Sequence, residues 1–147
     1  MSRFAILAFA ALTCLASLSC QSYSTGLQQT IVRADETTAI AALHSIAIAQ
    51  QTYSLSNNGN FGTLRQLRDA GYLDARFDSP NGGAKDYALT INTKPQSAEA
   101  TSFFSCNADP TNSAPQAGRH FYVDSATSAL HVNPSQPATA SDPIYQP

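Results

Sequence analysis

Apolar residues recur at the helical period from Asp35 to Leu55, in the run DETTAIAALHSIAIAQQTYSL. At about 100° per residue, Ala39, Ile40, Ala42, Leu43, Ile46, Ala47, Ala49 and Tyr53 fall on one arc, and His44, Ser45, Gln51 and Thr52 fall opposite. This predicts an amphipathic helix with one buried face, centred on Leu43 and Ile46. Ile48 breaks the pattern by landing on the polar side. Asp35 and Glu36 occupy the predicted first turn, where negative charge suits the helix dipole, and Asn57-Asn58-Gly59-Asn60 supplies the stop. At about 1.5 Å per residue the segment runs roughly 30 Å, the length of a small domain.

Past that stop, Thr63 is placed to cap a short helix whose Leu64, Leu67 and Ala70 face inward, and Gly71 sits where a helix end wants a left-handed residue. Tyr72, Leu73 and Phe77 are expected to dock on the core. The period then changes to two. Turn chemistry at Asp78-Ser79-Pro80-Asn81-Gly82-Gly83 precedes Tyr87-Ala88-Leu89-Thr90-Ile91, a half-buried strand. Thr101 to Ala108 predicts a second strand with Phe104, Cys106 and Ala108 on one face, Arg119 to Val123 a third, and Ala129 to Val132 a fourth. Short connections between consecutive strands imply an antiparallel meander. The expected fold class is α+β: a long N-terminal amphipathic helix packed on a three- to four-stranded antiparallel sheet. Asn133 to Pro147 carries four prolines and few large apolar groups, so residues 134–147 are expected to be a disordered, dispensable tail.

The start of the chain reads differently. Met1-Ser2-Arg3 is a short positive region, and Phe4 to Leu18 is an almost unbroken apolar run, the pattern of a secretory signal peptide over residues 1–19. About 15 helical residues cover roughly 22 Å, short of the ~30 Å hydrocarbon core, which argues for cleavage over a retained span. Ser17-Leu18-Ser19-Cys20 resembles a bacterial lipobox, with Ser17 where that motif usually has leucine. The resemblance implies a lipid anchor on Cys20. Ser17-x-Ser19 also suits ordinary signal peptidase, which would leave Cys20 a free thiol able to pair with Cys106. Residues 20–33 are polar and read as a tether or as an extension of the helix. Thr25-Gly26-Leu27-Gln28 has the form of a capping box.

The 147 residues suit one domain, spanning residues 34–133. Charged residues make up only 12% of the chain, and the net charge of -2 gives no basic footprint for nucleic acid, so no nucleic-acid partner is expected. Catalytic signatures such as G-x-S-x-G, H-E-x-x-H, a Walker loop or a dinucleotide fingerprint do not occur. Three histidines are candidate chemistry. His44 projects to the exposed side of the helix; His120 and His131 face each other if Ser125-Ala126 is a two-residue hairpin turn. Such a pair lacks an evident third zinc ligand, so no metal site and no cofactor are expected. Cys106 on the Phe104 face reads as a small buried hydrophobe rather than a nucleophile activated by His120 or His131.

This order of elements resembles the globular head of type IV pilins and type II secretion pseudopilins. The residues that carry the likeness are Asp35-Glu36-Thr37-Thr38-Ala39 leading to Tyr53, the segment TLRQLRDAGYLD from Thr63 to Asp74, and Arg119 to Asp124 followed by Leu130-His131-Val132. It covers roughly residues 33 to 133. Pilins enter the membrane through a signal cut after a glycine and a hydrophobic half-helix bearing an early glutamate, neither of which is present. The acidic residues beyond position 100, Asp109, Asp124 and Asp142, are too scattered for the calcium loop of major pseudopilins. The resemblance therefore implies a non-enzymatic, lipid-anchored protein of the bacterial periplasm or outer membrane. Its expected partners are cell-envelope or pilus and secretion proteins, and the membrane through Cys20. The alternatives are a minor pilin or pseudopilin-like component, and a small extracytoplasmic enzyme using Cys106 with a histidine.

Overall fold

The computed structural model describes residues 2–79, 81–111 and 118–147, with side chains from residue 26 onward. A single helix, α1 (Ser2–Ser56), runs far beyond the expected start at Asp35. Residues 20–33 thus belong to the helix rather than to a loose tether, and no helix begins at the Thr25 capping-box pattern. No proline interrupts the stretch, and its three Gln residues, Leu27 and Arg33 are good helix formers. Hydroxyls on its solvent side donate to carbonyls one turn back, as Thr37 Oγ1 does to Arg33 at 2.9 Å and Thr52 Oγ1 to Ile48 at 3.0 Å. The predicted stop holds: Asn58 and Gly59 take φ of 53° and 79°, and the Gly59 N–H donates to the Ser54 carbonyl at 2.9 Å.

The buried arc is largely as the period predicts. Ala39, Ala42, Leu43 and Ile46 are wholly buried, whereas His44 is exposed and Ile48 is 65% exposed. Two polar residues share the buried face, Glu36 and Gln50. Gln50 clamps the chain after the helix as a peptide group would, donating Nε2 to the Gly62 carbonyl at 2.6 Å and accepting from the Gly62 N–H at 2.9 Å. The approach is close: a Cβ on Gly62 would lie 3.0 Å from the Tyr53 ring, which would have to shift by a few tenths of an ångström.

A short helix, α2 (Leu64–Asp69), opens on a reciprocal capping box between Thr63 and Gln66. Leu67 is fully buried and Gly71 adopts φ 78°, as expected, while Ala70 is exposed because the helix ends before it. Leu73 and Phe77 dock on the core, but Tyr72 stays 37% exposed, edge-on to Tyr53 at 6.3 Å.

The sheet is an antiparallel meander in the order β1 (Tyr87–Lys94), β2 (Phe103–Pro110), β3 (His120–Asp124), β4 (His131–Asn133). Ile91, Cys106 and Val123 are in register, as are Ala108, Phe121 and Val132. Phe104, Cys106, Ala108, Phe121 and Val123 form the face that meets α1. The molecule is therefore α+β, with a helix across a four-stranded antiparallel sheet.

Two expectations about the C-terminal part are corrected. Asp124 Oδ1 accepts from the N–H groups of Ala126 and Thr127, which opens the β3–β4 connection to Ser125–Leu130 instead of a two-residue turn. His120 then lies opposite Asn133 and His131 opposite Tyr122, so the two histidines are not cross-strand partners. The Pro-rich tail is also ordered. Val132 N–H donates to the Pro143 carbonyl at 2.9 Å, Tyr145 N–H donates to the Leu130 carbonyl at 2.7 Å, and His131 and Ile144 form a bridge. Proline cannot donate to a ladder but accepts as well as any residue, and its fixed φ lowers the entropy lost on ordering. The tail thereby covers the open edge of β4.

Candidate functional site

The most concentrated polar chemistry in the core is where α1 meets the start of β3. Glu36, near the middle of α1, is 7% exposed and accepts three hydrogen bonds from Arg119. The backbone N–H and Nε reach Oε1 at 2.9 and 3.1 Å, and Nη2 reaches Oε2 at 2.8 Å. Burial by itself raises the Glu36 carboxyl, but the hydrogen bonds and charge of Arg119 outweigh it and hold the group below its ordinary value. The same bonds raise Arg119. Tyr87 on β1 joins the cluster by donating its hydroxyl to the Arg119 carbonyl at 2.8 Å, and burial first, then the Glu36 charge, pushes that phenol upward. The Arg119 guanidinium also lies over the rings of Phe121 and Tyr145, at 5.6 and 5.2 Å. Gly118 makes the packing possible, since a Cβ there would stand 2.2 Å from the Tyr87 hydroxyl. One ion pair thus ties together the helix, β1, β3 and the tail. Both Glu36 oxygens are engaged, which fits a structural clamp.

A second polar group covers the sheet face turned away from α1. His120 Nδ1 and Asp109 Oδ1 are 2.6 Å apart. His131 Nδ1 donates to the Asp142 carbonyl at 2.7 Å, and Asn133 Nδ2 donates to Asp142 Oδ1 at 2.7 Å. Asp142 is held below its ordinary value by the Thr139 N–H, then by Asn133. Asn107 Nδ2 donates to the Ala138 carbonyl at 2.8 Å. These contacts seat the tail on the sheet. His131 Nε2 is buried without a partner among the described residues.

Cys106 lies on the opposite, helix-facing side and is fully buried. Burial, with a smaller contribution from Asp109, pushes its thiol up to about 12, far from the reactive thiolate range. Among the described residues no histidine hydrogen-bonds to it, and its Sγ lies 3.8 Å from the Asn107 carbonyl. His44 is exposed on the solvent face of α1. A depression of about 480 Å³ beside α2 is flanked by Arg65, Arg68, Asp69 and Asp78, whose charges cancel through the Arg65–Asp69 and Arg68–Asp78 pairs. Among the described residues no group of three His, Cys, Asp or Glu side chains is arranged to hold a metal ion, and no helix is long and apolar enough to cross a membrane.

The Cys20 side chain, the proposed lipidation point, lies outside the described residues, as do the side chains of the 1–19 signal segment. Sequence reasoning missed the Glu36–Arg119 clamp, because Glu36 was assigned to a first turn that the longer helix removes. The available signal was an acidic residue on the buried side of the apolar arc. Set against known families, curated proteins and solved structures, the chain shows no significant match.

Proposed function

We propose that this is a non-enzymatic, pilin-like protein of the bacterial cell envelope, anchored through lipid on Cys20 and acting by protein contacts. The observation that carries the reading is the course of α1. Its first buried side chain among the described residues is Glu36, while Leu27 and Ile31 are 51% and 56% exposed. From Cys20 to Glu36 the helix spans about 24 Å, a stalk long enough to hold the domain off a membrane surface. A triacylated cysteine at the foot of that stalk supplies the several acyl chains that stable attachment requires. The burial of Cys106 and its raised thiol support contacts over catalysis.

Cys20→Ser tests the anchor. The variant is expected in the soluble fraction, whereas Cys106→Ser should remain with the membrane, and the mature wild-type N-terminus should carry the mass of a lipidated cysteine. A wild-type protein already soluble, with an unmodified Cys20 at its N-terminus, overturns the reading. A minor pilin or pseudopilin-like component is the second reading, favoured by the helix-over-meander architecture. Cofractionation with pili would establish it in place of a separately anchored protein.

A further inference from the structure

The two edges of the sheet are treated unequally. The tail covers β4 through the Val132–Pro143 and Tyr145–Leu130 bonds, while the far edge, β1, has no strand beside it among the described residues. The Thr111 N–H donates to the Asp86 carbonyl at 2.9 Å, and these two residues continue the β1–β2 register, so the even-numbered residues from 86 to 94 point their backbone groups at β2. The N–H and C=O groups of Leu89, Ile91 and Thr93 therefore face outward, and no partner for them is found among the described residues. Such an edge is a template for strand addition.

We infer that β1 pairs antiparallel with β1 of a second copy of this chain about a two-fold axis through Thr90, joining two four-stranded sheets into one. Charge selects this register. With the axis on Thr90, Asp86 stands opposite Lys94 of the second copy, twice by symmetry, and Ala88 stands opposite Asn92. Moving the axis by one residue to Ile91 sets Lys94 opposite Ala88 and Asp86 opposite Gln96, and both charged pairs are lost. Neither Asp86 nor Lys94 has an ion-pair partner within its own copy among the described residues. Leu89 and Ile91 meet across the axis on the helix side, covering the half-buried Ile91. The inference does not depend on lipid at Cys20.

The test is disulfide trapping in the full-length chain with Cys14 and Cys20 replaced by serine, which leaves only the buried Cys106. Thr90 and Asn92 are both exposed, so cysteine at either position is compatible with folding. Two Thr90 positions on the axis form a non-hydrogen-bonded pair with Cα atoms about 4.5 Å apart, within disulfide reach. Thr90→Cys should give a covalent dimer under mild oxidation, and Asn92→Cys should stay monomeric. Adding Lys94→Asp should lower the trapped fraction about tenfold by opposing like charges, and Asp86→Lys in the same chain should restore it. Thr90→Cys remaining monomeric, Asn92→Cys trapping equally well, or a ladder of larger species would overturn the inference.

Discussion

Glu36 and Arg119 stand 83 residues apart in the chain and meet through three hydrogen bonds, one of them from the Arg119 backbone. That contact sets where along α1 the sheet sits, because all three hydrogen bonds that satisfy the buried carboxylate come from Arg119. Burying a carboxylate without a partner costs far more than a misplaced apolar side chain, so the clamp penalises a sliding helix more sharply than the alanine-rich arc does.

Arg119→Ala should therefore destabilise the fold by about 2–4 kcal/mol, below the cost of breaking a wholly buried pair because the guanidinium is partly exposed. Glu36→Gln with Arg119→Ala should cost less than the sum of the two single changes, since neither orphans a charge in the other's presence. Urea melts of the four proteins measure the coupling, and additive losses would contradict a clamp.

The pH dependence follows from the direction of the Glu36 shift. Its folded-state value lies below the ordinary 4.5, so its stabilising contribution is complete above that pH and is lost as pH falls through the folded value. Thermal melts between pH 6 and about 3 should show wild type losing its advantage over Glu36→Gln, with the two curves converging. Curves that run parallel through that range would mean Glu36 is not charged and paired.

Removing residues 134–147 should cost about 2–4 kcal/mol, from the lost edge hydrogen bonds and the Tyr145 ring that packs edge-on to Phe121 at 5.7 Å. Tyr145→Ala alone should account for a substantial part of that loss. An unchanged melting temperature on deletion would restore the view of the tail as dispensable.

Cys106 should resist thiol reagents in the native protein and react only on denaturation, given its full burial and a thiol pushed up to about 12. Cys106→Ser should lower stability by about 1–3 kcal/mol by burying a hydroxyl in an apolar layer. Rapid native labelling would reopen the case for a reactive site.

Leu43→Ala and Ile46→Ala should each cost about 2–5 kcal/mol, and His44→Ala within about 0.5 kcal/mol of nothing. The reverse order in thermal melts would invert the assigned helix faces.

Periodicity by itself determined the buried arc of α1, the Thr63 cap, the left-handed Gly71, the inward set Phe104, Cys106 and Ala108, and the antiparallel meander. Each of these is a short-range consequence of where side chains point in a helix or strand, or of which residues tolerate a given φ. Tertiary structure decided what depends on distant partners. Glu36 is a buried ion rather than a dipole-capping one because Arg119 arrives from the residue just before β3. His120 and His131 part company because Asp124 captures two N–H groups and lengthens the turn. The tail orders because Leu130 and Val132 present backbone groups that Tyr145 and the Pro143 carbonyl satisfy. Composition describes such a segment in isolation, and the edge it lands on exists only once the sheet has formed.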